Sequence, residues 1–286
     1  MQIPAQGPVV VGVDGTPAAL AAVRLAAREA VSRGRDLFVV HAFTWPDPRP
    51  GAGGTDYAPA RRAASRVLDE AVATAQRSTP GVHARGQLLD GLPGPVLLRL
   101  SRGAVLLVMG TGDRTGTDGL SPGSPLVQVV ARAWCPVAVA RGTRPPSGPV
   151  LAAVDGSACS LLALRFAAEE AARRGGAVHA VHVAREGGRA AADHLLDEAL
   201  AAVPDITGVR RRVLVGSPQE ALLRVSRRAG LLVLGPRGSR ARSRLGTVAG
   251  EVLRHGSGPA VFVHGPRTPA RRVPPPPGRP AGAVRG

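Results

Sequence analysis

Glycines at fixed intervals, each set preceded by an apolar run and ended by a hydroxyl residue, are the part of this sequence whose spacing indicates chemistry. A glycine loop between a strand end and a helix start exposes backbone N–H groups, and the helix dipole there favours negative charge. Both sets therefore predict anion binding, with phosphate as the typical ligand. The residues are Gly110, Gly123 and Ser124 in the first set, and Gly235, Gly238, Gly246 and Thr247 in the second.

An aspartate after another apolar run precedes each loop, and it shows that the chain repeats itself. The run VVVGVDGT contains Asp14 and the run VLAAVDGS contains Asp155, 141 residues later. The glycines that follow, Gly110 and Gly235, are 125 residues apart, so the second copy is 16 residues shorter in between. The extra residues of the first copy fall at Trp45–Pro59, which its proline and glycine content predicts to be a loop. A duplicated domain is the prediction.

Each copy alternates short apolar runs with amphipathic stretches, giving five strands and four helices. The run Val9–Val13 consists of valines interrupted only by Gly12, as in a parallel strand covered on both faces. The alternation predicts an α/β fold, with a parallel sheet and helices on both of its faces. Such sheets bind ligands at the carboxyl ends of their strands, where the strand order reverses. Both aspartates and both glycine loops fall at such ends.

The predicted organisation has four parts. A first copy spans residues 1–140, a linker 141–149, and a second copy 150–265. Residues 266–286 form a proline- and arginine-rich tail whose composition cannot bury a core, so this tail is predicted to be disordered.

Composition excludes several classes of function. The net charge of +17 comes from arginine alone, but the arginines are scattered and aromatic residues make up 2%, so nucleic-acid binding is disfavoured. No apolar run approaches the roughly 18 residues of a membrane span, and no secretory signal is found. Cys135 and Cys159 are not spaced as a metal site or a disulfide framework. We therefore expect a cytoplasmic protein without membrane contact or bound metal.

No hydrolase triad, metalloprotease motif or P-loop lysine occurs in the sequence. We therefore predict no catalytic residues.

Taken together, the motifs of each copy resemble the universal stress protein family, and the whole chain except the tail resembles a tandem two-domain member. The motifs are VDG followed by Thr or Ser, GxPxxxLL into the third helix, VxG after the fourth strand, and CPV or GPA into the fifth. The resemblance implies two five-stranded, Rossmann-like parallel sheets that pair through their last strands as an intramolecular pseudo-dimer. It also implies that some members bind ATP and others do not.

The resemblance further implies which residues would contact an adenine nucleotide. Asp14 or Asp155 would lie beside the nucleoside, and a backbone group near Val40 or Val181 would contact the adenine edge. In ATP-binding members a second glycine follows the first after two residues, and Gly-Ser or Gly-Thr follows after nine more.

Neither copy matches this spacing fully. The first copy keeps the intervals but carries Asp113 in place of the second glycine, and repulsion of a phosphate near 4 Å would cost about 1 to 4 kcal/mol. The second copy keeps both glycines, but seven residues rather than nine precede Gly246. Its loop contains Arg237, Arg240, Arg242 and Arg244, which can pair with phosphates.

Two functional hypotheses follow. In the first, the chain is a cytoplasmic stress-response regulator that binds an adenine nucleotide, ATP, without turnover, with the second copy as the favoured site. In the alternative, the glycine loops are vestigial and the chain is a ligand-free interaction module. The strand-end glycines, the hydroxyls and the aspartates would then only end strands, cap helices and form turns. The sequence leaves open whether the pseudo-dimer also forms a homodimer.

Overall fold

The computed structural model describes residues 6–45, 57–111, 121, 123–142, 147–238 and 245–265. The strands found there are β1 (Val9–Val13), β2 (Leu37–Phe43), β3 (Ala84–Asp90), β4 (Leu106–Gly110), β5 (Val137–Ala140), β6 (Val150–Ala153), β7 (Val178–Ala184), β8 (Val209–Val215), β9 (Leu231–Leu234) and β10 (Ala260–Phe262). The helices are α1 (Pro17–Ser32), α2 (Tyr57–Ser78), α3 (Pro93–Leu100), α4 (Pro125–Arg132), α5 (Ala158–Arg173), α6 (Arg189–Ala201), α7 (Pro218–Ser226) and α8 (Thr247–His255).

These strands form one continuous sheet in the order β3-β2-β1-β4-β5-β10-β9-β6-β7-β8. Within each copy all neighbouring strands are parallel. The copies meet at β5 and β10, which run antiparallel with Val139 opposite Ala260. The predicted α/β class, the five-stranded parallel sheet of each copy and the pseudo-dimer are therefore confirmed.

Helices cover both faces of the sheet because its strands are apolar on both sides. On β1, Val11 faces the core beneath α1, α2, α5 and α6, whereas Val10 faces the core beneath α3, α4, α7 and α8. Each of these two cores contains residues from both copies. The antiparallel junction turns the carboxyl ends of the two sets of parallel strands to opposite edges of the sheet.

The seam between the copies also contains a charged cluster, where α1 lies near α5. Arg33 contacts Glu170, and Arg174 donates to Glu29 at 2.8 Å, so the same pairing occurs twice. The side chains of Glu29 and Glu170 are only 8% and 2% exposed. Burial and the neighbouring Glu170 raise the pKa of Glu29, while Arg33 and Arg174 oppose that rise. The cluster joins the two copies through buried, charge-assisted hydrogen bonds.

One predicted loop is partly wrong. Helix α2 begins at Tyr57, so the last residues of Trp45–Pro59 are helical. Pro59 is tolerated because the first turn of a helix does not need its missing N–H. Residues 46–56 and the tail 266–286 lie outside the described residues. The predicted domain limits stay a prediction, with β5 ending at Ala140 and β6 beginning at Val150.

Candidate functional site

The two aspartates occupy matching turns at the start of α1 and α5. Asp14 Oδ1 accepts hydrogen bonds from the Thr16 N–H and hydroxyl at 3.0 and 2.6 Å. Asp155 Oδ1 accepts the same pair from Ser157, at 3.0 and 2.6 Å. The hydroxyls of Thr16 and Ser157 then cap the helices. Each aspartate therefore has a structural role, and contact with a nucleoside stays a prediction.

Two histidines also occupy matching positions. His41 Nδ1 lies 2.8 Å from the Val13 carbonyl, and His182 Nδ1 lies 2.7 Å from the Val154 carbonyl. A carbonyl oxygen only accepts, so Nδ1 donates in both cases. Each imidazole is thereby fixed against the end of the first strand of its copy, and each lines a cavity there.

A cleft of about 690 Å³ opens at the carboxyl ends of the second copy's strands. It lies where β6 and β9 are neighbours, which is the point of strand-order reversal. Its volume falls within the roughly 300 to 1,000 Å³ typical of small-molecule sites. The predicted residues on its wall are Asp155, Val181, Gly235, Gly238, Gly246 and Thr247. The structure therefore brings together all the predicted residues of this copy.

Sequence reasoning missed much of the wall. Helix α6 contributes Ala191 and Leu195, α7 contributes Leu222, and the segment after β7 contributes Arg185. None of these follows a motif, because they reach the cleft through the packing of helices on the sheet. The apolar stripe of α6 was the available signal, but it does not distinguish a cleft wall from ordinary core.

Gly235 and Gly238 of the second copy pack closely against their neighbours even without a ligand. A Cβ on Gly238 would lie 2.6 Å from Asp155 Oδ2, and one on Gly235 would lie 2.8 Å from the Cβ of Cys159. Separations below 3.0 Å demand that a neighbouring group move. The glycine loop thus approaches the aspartate turn closely.

The helices that follow the two glycine loops begin differently. Helix α4 is capped by Ser124, whose hydroxyl accepts from the Val127 N–H at 3.3 Å. Helix α8 has Gly246 at its N-cap, which has no side chain to accept from the first turn. Thr247, expected to be able to cap the helix, is instead its first residue. Since residues 247–249 all line the cleft, the uncapped first turn of α8 borders it.

The first copy has a much smaller cavity at the equivalent place, of about 130 Å³. Of its predicted residues, Asp14, Val40 and Gly110 line this cavity. Gly123 and Ser124 are not among the lining residues. The Gly123 carbonyl instead accepts from Gln128 Nε2 at 2.7 Å. The structure therefore does not bring all the predicted residues of this copy together.

Some predicted contributors cannot be placed. Asp113 of the first loop and Arg240, Arg242 and Arg244 of the second lie outside the described residues. Arg237 is described, and it lines the larger cleft together with Arg185. Both arginines add positive charge to a wall that also carries the Asp155 carboxylate.

Other chemistry finds little support among the residues placed by the structure. No group of three or more His, Cys, Asp or Glu side chains there could hold a metal ion. Burial raises the pKa of the Cys135 thiol to about 12, so this thiol is not a ready nucleophile. Across the same residues, no helix combines the length and apolarity needed to cross a membrane.

Comparison with known proteins shows to which family this chain belongs. A sequence model of the universal stress protein family matches residues 7–141 and 147–264. Universal stress protein Rv2005c of Mycobacterium tuberculosis is 31% identical over 277 residues, covering 86% of this chain and 92% of that protein. The crystal structure of a universal stress protein from Archaeoglobus fulgidus shares the fold, with a TM-score of 0.73, 19% identity, and coverage of 92% of this chain and 99% of that one.

One half of this chain is also similar to a smaller structure, that of the universal stress protein from Archaeoglobus fulgidus in complex with dAMP. That similarity has a TM-score of 0.37 and 26% identity, and it covers 49% of this chain and all of the other.

Proposed function

The chain belongs to the universal stress protein family, and we propose that its second copy binds one adenine nucleotide, ATP, and holds it without turnover. The observation that carries this proposal is the cleft of about 690 Å³ whose wall contains Asp155, both glycines of the loop and the start of α8. The first copy, with about 130 Å³ at the equivalent place, is proposed to bind none.

The phosphates would lie at the α8 end of the cleft. The N-cap of α8 is Gly246, which offers the first-turn N–H groups no side-chain acceptor, and backbone amides at a helix N-terminus bind phosphate oxygens. Arg185 and Arg237 add positive charge on the rim, and guanidinium groups pair well with phosphates. Attraction of the phosphates is therefore supported by three separate elements of the second copy.

The base and sugar would occupy the rest of the cleft. Val181, Leu195 and Leu222 provide apolar wall, which suits the faces of a purine. Asp155 lies on the wall of the cleft, where its carboxylate would accept from a ribose hydroxyl. The expected adenine contact at the backbone near Val181 belongs to the same region.

Two observations support binding without turnover. The carboxylate of Asp155 is engaged by Ser157, and the Nδ1–H of His182 is engaged by the Val154 carbonyl. Hydrolysis needs a base that positions and activates water. We assign that role to no residue of the cleft.

In the cell we propose a cytoplasmic stress-response regulator whose bound nucleotide sets the conformation that partners meet. The vestigial-loop interpretation is retained for the first copy, because its helix is capped by its own Ser124 and its cavity is small.

Calorimetry with the purified full chain tests the proposal. We expect ATP to bind with a stoichiometry of about one per chain, and mass spectrometry of the denatured protein to identify any adenine nucleotide that co-purifies. The absence of ATP binding at about millimolar concentration, the weak end of measurable affinity, would refute nucleotide binding. A stoichiometry of two would refute the assignment to the second copy alone, and release of ADP over time would refute binding without turnover.

A further inference from the structure

The last helix of the second copy is held at its far end by a residue of the first copy. Arg141 directly follows β5, and its guanidinium donates to the carbonyls of Val252 and Leu253 at 3.0 and 2.7 Å. Both carbonyls belong to the last turns of α8. Arg141 also donates to the Gly258 carbonyl at 3.1 Å. The Val252 carbonyl also accepts from the Gly256 N–H at 3.0 Å, and a cationic donor at this end of the helix complements its dipole.

The first copy has a weaker version of the same contact. His264 follows β10 as Arg141 follows β5, and its Nε2 lies 2.9 Å from the carbonyl of Val130, near the end of α4. The duplication has thus placed a side chain of each copy on the last helix of the other. Arg141 makes two hydrogen bonds to α8 and a third to the Gly258 carbonyl beyond it, and His264 makes one to α4.

The packing around Arg141 is tight. A Cβ on Gly256 would lie 2.9 Å from Arg141 Nη1 and 2.6 Å from the Val252 carbonyl oxygen. Only a glycine leaves room there for the guanidinium to reach the helix end.

Helix α8 connects this contact to the nucleotide cleft. It has nine residues, about 13 Å of helix, and residues 247–249 at its start line the cleft. Its backbone hydrogen bonds make so short a helix move as one unit. A displacement at Leu253 therefore displaces the N–H groups at Thr247. The Arg141 charge itself lies beyond a Debye length of about 8 Å from those groups, so screening weakens its direct effect on a phosphate.

We propose that Arg141 is a positioning residue for the nucleotide phosphates, through which the first copy controls the affinity of the second. This inference rests on the proposed function of the cleft. It assigns a role to the copy that binds no nucleotide: its β5 end holds α8 in the orientation that the phosphates need.

The test compares Arg141→Ala with the matched variant His264→Ala in the full chain, using ATP and adenosine as ligands. We expect Arg141→Ala to lower the affinity for ATP about five- to tenfold, which is the range of a modest coupling between sites. The affinity for adenosine should change less than about twofold. His264→Ala should alter neither affinity, because it contacts α4. Arg141→Lys keeps the charge and some donors, so its affinity for ATP should lie between those of the wild type and Arg141→Ala.

Hydrogen exchange gives a second readout that needs no ligand. The amides of α8 should exchange faster in Arg141→Ala, and those of α4 in His264→Ala. Equal losses of ATP and adenosine affinity, or unchanged exchange in α8, would overturn the role of Arg141. If Arg141→Ala fails to fold, the same ATP-to-adenosine ratio is measured in Arg141→Lys, where an unchanged ratio would also overturn it. A wild-type protein that bound neither ligand would overturn the proposed function and this inference with it.

Discussion

Arg33 of the first copy pairs with Glu170 of the second, and the residues that the duplication relates to them, Arg174 and Glu29, pair across the same seam. Glu170 also accepts from Arg173 at 2.6 Å and from Arg174 at 3.3 Å. The two copies are therefore joined by a charged cluster that has the pseudo-symmetry of the chain.

Removing one carboxylate from this cluster should destabilise the protein strongly. We expect Glu170→Ala to lower the free energy of unfolding by about 3 to 5 kcal/mol, because three arginines would each lose a buried acceptor. Urea unfolding of the two proteins measures the difference. Asp90→Ala is the control, since Asp90 pairs with Arg61 on the surface and its loss should change stability little. Equal effects of the two substitutions would contradict the importance of burial.

Alanine in place of each strand-end aspartate should separate structure from ligand binding. Asp14 and Asp155 make the same pair of hydrogen bonds, so each substitution should lower the unfolding free energy by about 1 kcal/mol. Only Asp155→Ala should also lower the affinity for ATP, which calorimetry measures. A similar loss of ATP affinity in Asp14→Ala would place nucleotide in the first copy.

A carboxylate at Gly238 should abolish most nucleotide binding. In Gly238→Asp the new side chain would meet Asp155 and repel phosphate, and we expect ATP affinity to fall about tenfold or more. Gly176→Asp is the matched control, because no atom lies within 4 Å of a Cβ there. Unchanged ATP affinity in Gly238→Asp, with the wild type binding ATP, would show that the phosphates lie elsewhere.

Cys135 should make stability depend on pH in alkaline solution. Burial raises its pKa from 9.0 to about 12, so the folded chain binds this proton more tightly than the unfolded chain does. Its contribution is complete below pH 9 and is lost as the pH rises toward 12, by up to about 1.4 kcal/mol per pH unit.

Urea unfolding of the wild type and Cys135→Ala between pH 7 and about 10.5 measures this contribution. Both proteins carry Cys159→Ala, so that the second thiol does not interfere. The stability difference should be constant at neutral pH and should shrink above pH 9. A difference that stays constant throughout would contradict a buried thiol with a raised pKa.

Much of the fold could be predicted from the sequence because the same motifs and apolar runs occur in both copies. The VDG motif at Asp14 and at Asp155 fixes equivalent strands, and apolar runs of strand length do not need long-range information to be recognised. The start of α2 at Tyr57 was missed, because proline and glycine nearby outweighed a helical pattern that tertiary packing favours.

The candidate site was less predictable. Glycine spacing identifies the residues near a phosphate, such as Gly238, but it does not give the size of a cavity. That size depends on how α6 and α7 pack over the sheet. The contact of Arg141 with α8 joins residues more than a hundred positions apart, so no local sequence pattern predicts it. The only available signal was that His264, another side chain able to donate, occupies the equivalent position of the second copy.

Because β5 and β10 are antiparallel, the carboxyl ends of the strands of the two copies lie at opposite edges of the sheet, and these two edges differ. One edge carries the roomy cleft. The other presents Phe43, Trp45 and Tyr57 in mutual ring contact beside the small cavity. On the proposed assignment, the nucleotide occupies only the first of these two edges. Two identical subunits would carry the same surface at both edges, whereas this single chain presents a cleft at one and an aromatic cluster at the other.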